Sequence, residues 1–282
     1  MEALYKIINW YVGHFRFPHK GWKYFYSFLR SFKLDHKTYR KKLSHGLYIN
    51  LVPADHIQKE IFWYGYYEKE AVKLWFELIK LDSVVVDVGS NIGYYSLLAA
   101  SKATTGHIYA FEPVSFLQEA IKKNISLNHL SNISVYPFAV SAQKKEAVVY
   151  VSAEDNLGMS GLHPPENFSG KTENVSTISL DEWKQSNAIK KIDFIKIDVE
   201  GSEMNVLLGM QSILLKDKPV VFIEIIQKNL SQFGISIEDV YTFINSFNYK
   251  TNIITSKGII EFKERDIEGY SILLTPQEFE LP

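Results

Sequence analysis

The sequence predicts an α/β fold of the Rossmann-like kind, a mostly parallel sheet with helices on both faces. Three observations carry this. Residues 84–88, VVVDV, form a β-branched run broken only by Asp87, short and bounded as a strand buried on both faces is. Gly89 and Gly93 follow, and then residues 94–102 without a helix breaker, so the order is strand, glycine turn, helix. Residues 107–111, HIYAF, repeat the apolar strand pattern one helix later and end on Glu112-Pro113.

The same stretches speak to a ligand. A glycine turn at a helix start leaves unpaired N–H groups facing outward, and residues without a Cβ let a ligand approach the backbone. Glu112 stands 19 residues after Gly93, at the end of the next strand, where a carboxylate accepts hydrogen bonds from ribose hydroxyls. Together they point to an adenosine-type ligand. Dinucleotide turns follow G-x-G-x-x-G, whereas Gly89-Ser-Asn-Ile-Gly93 is spaced differently and has Asp87 two residues before it. A carboxylate there repels a pyrophosphate but suits the cationic methionyl end of S-adenosylmethionine. The pattern favours that methyl donor over NAD.

Taken in order, the chain opens with a basic, aromatic extension over residues 1–43. Trp22, Phe25, Phe28, Leu29 and Phe32 fall on one helical face, with Lys23, Arg30 and Lys33 mostly elsewhere, and Phe15 and Phe17 add to the aromatic content. Residues 1–42 hold ten Lys or Arg against Glu2 and Asp35, a net +8; the formal total is −1, so the rest of the chain sums to −9. Two readings stay open here. The helix packs on the main domain or on a second subunit of a homo-oligomer, or it lies on an anionic membrane surface. No RNA- or DNA-binding motif accompanies the charge, so a nucleic-acid partner is not expected.

Residues 47–51 read as a strand covering the fold, and residues 68–80 as an amphipathic helix with Val72, Trp75, Phe76 and Ile79 on its stripe. After Pro113, Ser115-x-x-Gln118 reads as a capping box opening a helix to about Leu127. Residues 135–140 are expected as the third core strand. Residues 147–151 and 175–180 look like additional strands, with a Gly-, Pro-, Ser- and Asn-rich loop over 152–173 between them. Loops of that length in compact domains serve as lids or mobile segments. His163 sits there before Pro164-Pro165, either as a solvated side chain or as a base.

Residues 192–199 form a fourth core strand, in which alternation puts Lys196, Asp198 and Glu200 on one face. Gly201 ends it, and Ser202 is placed to cap a helix over 203–214. Residues 220–225 give a fifth strand ending near Glu224. Residues 236–247 give a helix with Val240, Phe243, Ile244 and Phe247 on its stripe, and strands near 249–254 and 270–274 complete the sheet.

Three motifs, DVGSNIGYYS over residues 87–96, Phe111-Glu-Pro113 and IKIDVEG over residues 195–201, together resemble the FkbM family of S-adenosylmethionine-dependent methyltransferases. The resemblance runs from about Gly46 to about Leu274 and takes in Gly65-Tyr-Tyr-Glu68 and the strand at 221–225. Asn91 occupies the second glycine of the general D-x-G-x-G methyltransferase pattern, a departure that is usual in this family. The resemblance implies a class I methyltransferase fold, with a seven-stranded, mostly parallel sheet in a domain over residues 44–282. It implies cofactor contacts from Glu68, Asp87, Gly89, Ser90, Asn91, Gly93, Tyr94, Glu112, Ala139 and Asp198. It also implies O-methylation of a sugar, glycan or polyketide-like acceptor.

Methyl transfer from a sulfonium is an in-line displacement, and a hydroxyl acceptor must lose its proton to a base. Asp198 and Glu200, at the carboxyl end of a core strand, are the leading candidates, with His163 a third. Asp198 is alternatively a partner of Lys196 that only stabilises the strand. Mg²⁺ held by Asp198, Glu200 and Glu224 would bind a vicinal diol, although nothing in the spacing requires a metal. A non-catalytic scaffold that binds glycan or a partner, and an NAD-dependent oxidoreductase, are the competing readings.

The composition excludes other classes. With no cysteine, the chain has no disulfide, thiolate metal site or Cys nucleophile. Hydrophobic residues are 46% and charged residues 22%, as in an ordinary globule, and no apolar run is long enough to span a bilayer. A cytoplasmic protein is expected, at the inner membrane face if the extension meets lipid.

Overall fold

The computed structural model describes residues 2–14, 21–43, 45–152, 156–164, 168, 170–255, 258–261 and 271–281. Of the residues read above, Phe15, Phe17, Pro165 and Tyr270 lie outside these.

Helices α1 (Glu2–His14) and α2 (Trp22–Ser31) precede an antiparallel pair, β1 (Tyr39–Lys42) with β2 (Tyr48–Leu51). The aromatic face expected on α2 divides. Leu29 is buried and Trp22 and Phe25 pack on the core, while Phe28 and the capping Phe32 stay exposed. Helix α3 (His56–Tyr64) opens on Asp55, whose carboxylate accepts from the Gln58 amide at 2.9 Å, and closes on Gly65 at φ 82°. Helix α4 (Lys69–Leu78) buries the expected Val72 and Trp75.

Strand β3 (Val84–Val88), helix α5 (Tyr94–Lys102), strand β4 (His107–Phe111) and helix α6 (Ser115–Leu127) occupy the residues their patterns predict. The capping box does not form. Helix α6 begins on Val114, Ser115 donates instead to the Glu173 carboxylate, and Gln118 Nε2 donates to the Pro113 carbonyl at 3.2 Å.

The strand expected over 135–140 is two, β5 (Ile133–Tyr136) and β6 (Phe138–Val140). Pro137 separates them, because without an N–H it cannot continue the ladder. Strand β5 stays at the edge of the main sheet. Strand β6 joins β7 (Glu146–Val151) and β8 (Lys171–Ile178) in a second sheet of order β6-β8-β7. A short helix α7 (Leu180–Ser186) then leads to β9 (Phe194–Ile197).

The helix expected over 203–214 breaks into α8 (Glu203–Leu208) and α9 (Gln211–Lys216). The break falls at Gly209, the C-cap of α8, where a Cβ would lie 2.1 Å from the Ser141 carbonyl oxygen, so the position admits no side chain. Ser202 takes the N-cap position of α8 without a side-chain capping bond; its hydroxyl donates to the Val199 carbonyl. Strand β10 (Val220–Glu224), helix α10 (Gln227–Ser231) and helix α11 (Ile237–Ser246) follow, the last with a Ser236/Asp239 capping box. Strands β11 (Tyr249–Thr255), β12 (Gly258–Glu261) and β13 (Ser271–Pro276) end the fold.

The main sheet has the order β12-β11-β13-β10-β9-β3-β4-β5. Strands β10, β9, β3, β4 and β5 run parallel, and β13 is antiparallel to both its neighbours. It has eight described strands rather than seven, because β12 folds back on β11 as an added edge hairpin. Alternate residues feed two cores. Val85, Phe194 and Phe222 face one, and Val86, Ile195 and Val221 face the other. Ile8, Val12, Leu29, Leu34 and Tyr39 belong to the first of these cores, and β1 pairs with β2 across the boundary placed at residues 43 and 44.

Candidate active site

The carboxyl ends of β3, β4 and β9 open into a cleft of about 950 Å³ including its mouth. Its wall includes Asp87, Gly89, Ser90, Asn91, Tyr94, Glu112, Ala139 and Asp198. Eight of the ten expected cofactor residues therefore share one surface. Gly93 and Glu68 do not line it. The missing Cβ of Gly93 faces Ile121 of α6, 3.1 Å away, and Glu68 accepts hydrogen bonds from Tyr95 at 2.7 Å and Ser271 at 2.9 Å, behind the wall.

Local geometry explains the residue types. Asn91 has φ 52°, a left-handed conformation that asparagine tolerates better than most residues, so it serves at a position where other methyltransferases place glycine. Gly89, at φ +78°, lies against the Asp198 backbone so closely that a Cβ would sit 1.9 Å from the Asp198 carbonyl oxygen. Glu112 is buried and braces the turn, accepting from the Asn91 amide at 2.8 Å and the Val114 amide at 2.9 Å. Asp87 is buried as well. Its Oδ2 accepts from Ser96 at 2.5 Å, while Oδ1 has no donor among the described residues, and neither does the buried Asn91 Oδ1. Buried oxygens are ordinarily satisfied. A cofactor with an ammonium, ribose hydroxyls and an adenine amine brings donors of the kind these two oxygens lack, so the residues fit S-adenosylmethionine.

At the β9 end, Lys196 and Asp198 meet as alternation predicts, Nζ to Oδ2 at 2.8 Å, with the Lys196 ammonium 4.6 Å from the Tyr95 ring centre. Burial opposes the ammonium, but Asp198, Glu68 and Asp87 outweigh it and hold Lys196 charged. Glu200 departs from the expected face. Strand β9 stops at Ile197 and Glu200 has φ 52°, so its side chain turns to accept from Asn229 Nδ2 at 2.7 Å. Asn229, on α10, had no signal in the sequence. Burial first, and then the Asp198 charge, push the Glu200 and Glu224 carboxyls up.

His163 is elsewhere: its Nδ1 is 3.1 Å from the Pro164 carbonyl, its ring meets Phe233 edge-on, and it does not line the cleft. No group of three His, Asp or Glu among the described residues is arranged to hold a metal ion, so Asp198, Glu200 and Glu224 do not converge as ligands.

Part of the long loop forms the remaining wall, through Leu157, Gly158, Ser160, Gly161 and Leu162. The Leu157 amide donates to Asp55 Oδ2 at 2.9 Å, and Gly161 pairs with Tyr150. The described part of this loop is thus tied at Leu157 to the start of α3 and at Gly161 to β7. Tyr67 also lines the cleft, next to the expected Glu68.

Burial raises other carboxyls in the same region, Glu112 to about 8 and Glu203 to about 7. A carboxyl whose pKa is higher folded than unfolded binds more protons in the folded state between the two values. Its stabilisation is complete below the unfolded pKa and is lost as pH rises through the folded one. The cofactor-free protein is therefore expected to lose stability between pH 5 and about 8.5. Denaturant midpoints across that range check this; a flat or rising profile would contradict the burial of these groups.

An open α/β sheet with a glycine turn at the end of one core strand and a buried acidic residue at the end of the next is the framework of an enzyme that takes an adenosine-bearing cofactor. The profile of the Methyltransferase FkbM domain matches residues 87–251, more than half of the chain. The chain belongs to that family of S-adenosylmethionine-dependent methyltransferases, which sets aside the nicotinamide and scaffold readings. It is 28% identical to the hexuronic acid methyltransferase AglP of Haloferax volcanii, over 66% of this chain and 71% of AglP. It is 25% identical to the 31-O-demethyl-FK506 methyltransferase FkbM of Streptomyces tacrolimicus, over 58% and 71%. It is also 25% identical to the AMB antimetabolite synthetase AmbE of Pseudomonas aeruginosa over 64% of this chain, which spans only 10% of AmbE.

Proposed function

We propose that the chain is an O-methyltransferase for a hydroxyl of a sugar, glycan or polyketide-like acceptor, with Asp198 as the base. The observation that carries this is the Lys196–Asp198 pair on the cleft wall at the end of β9. A carboxylate at that place is a proton acceptor, and Lys196 fixes its orientation through one oxygen and leaves the other open. Bound S-adenosylmethionine supplies an electrophilic methyl group on a sulfonium. The chain's part is to hold the acceptor oxygen in line and to take its proton on the Asp198 carboxylate. Neither Glu200, which accepts from Asn229, nor Glu224 lines the cleft. Asp87 balances the cationic cofactor from beneath the glycine turn. The names of two relatives support the acceptor class, one a hexuronic acid methyltransferase and the other a 31-O-demethyl-FK506 methyltransferase.

The test is transfer of labelled methyl to a panel of neutral glycans, uronic-acid oligosaccharides and hydroxylated polyketides. Label in a base-stable ether is the expected product. Transfer only to an amine or a carboxylate would overturn the reading.

A further inference from the structure

Down the axis of α2, successive residues turn by about 100°. Trp22, Phe25, Tyr26 and Leu29 face the core. Tyr24, Phe28 and Phe32, spaced by four, form a second stripe that faces outward, 84%, 37% and 47% exposed. On the other side of the outward face are Lys23 and Arg30, with the exposed Ser27 and Ser31 between the two flanks. The exposed Arg30 pairs with the buried Asp35 at 4.0 Å, and the exposed Lys33 and Lys37 follow the helix. The core does not need the aromatic stripe, and a solvated helix does not favour it.

We propose that α2 docks the protein on an anionic lipid surface. Charge complementarity selects this occupant. The stripe lies in the segment that carries a net +8, while the rest of the chain sums to −9. A second copy is disfavoured, because a two-fold axis would set the +8 segment against itself. The surface is a convex helix rather than a groove, which suits a planar interface better than a bound peptide. Aromatic rings settle at headgroup depth, and the lysines reach anionic headgroups beside them. Nothing spans: among the described residues no helix is long and apolar enough to cross a membrane.

The full chain is sedimented with phosphatidylcholine vesicles made with and without phosphatidylserine. Binding is expected only with the anionic lipid, weakening as salt rises. Tyr24→Ser/Phe28→Ser/Phe32→Ser should weaken it by roughly tenfold or more. Lys23→Gln/Lys33→Gln should cost about fivefold for each lysine. All these side chains lie outside the cleft, so unchanged S-adenosylmethionine affinity confirms that the variants are folded. Absence of anionic binding by the wild type, or wild-type binding by the folded aromatic variant, overturns the proposal. So does a dimer in solution that the aromatic variant dissociates, since the stripe would then be an interface between copies.

Discussion

Asp198→Asn is expected to lower turnover by about 10²-fold or more while leaving S-adenosylmethionine affinity within a few-fold. The substitution keeps the shape and removes the charge. What is lost is the proton acceptor for the hydroxyl, an interaction made in the transition state. The Lys196 pairing complicates this, because Lys196 is buried and its ammonium would lose its nearest partner. Asp87 and Glu68 remain to hold the ammonium, so the fold should survive with a modest loss of melting temperature. Steady-state kinetics beside a melting curve separates the two roles. A stable variant with full turnover removes Asp198 from the chemistry. A variant that is largely unfolded at the assay temperature, with turnover per folded molecule unchanged, makes the ion pair structural.

Gly89→Ala is expected to be the most damaging single change in the glycine turn. The new Cβ would lie 1.9 Å from the Asp198 carbonyl oxygen, and φ +78° is strained for alanine in any case. Either the turn or the end of β9 must move, and both carry the cleft. A loss of roughly 3 kcal/mol or more is expected, with cofactor binding abolished in whatever protein folds. Gly93→Ala should cost less, because its Cβ would meet the Ile121 side chain at 3.1 Å rather than backbone. Calorimetric titration and denaturant melts of the two variants give the order. Tight cofactor binding by a folded Gly89→Ala protein would show that the turn and β9 are not packed as described.

What the sequence made legible was local. Strands β3 and β4 and helices α5 and α6 declare themselves by runs and periods within a dozen residues, and their ends were correct. The meeting of Lys196 and Asp198 followed from alternation alone. Long-range features stayed hidden. Residue 209 is glycine because Ser141, 68 positions earlier, lies against it. Glu200 leaves its expected face because its backbone turns left-handed and Asn229 receives it. Gly93 looked like a ligand contact from its place in the turn, but which side of a glycine faces the cleft depends on the helix packed behind it. Pro137 was a missed break with a local signal, an imino acid in the middle of an apolar run.

The most direct measurement is the fate of labelled methyl on a uronic-acid oligosaccharide, which offers hydroxyls and a carboxylate to the same enzyme. A hydroxyl needs a base and a carboxylate does not, so the acceptor atom reports on what Asp198 does. The account predicts label that survives mild alkali as an ether and falls by about 10²-fold or more in Asp198→Asn. Label released by alkali as methanol, undiminished in that variant, would contradict it.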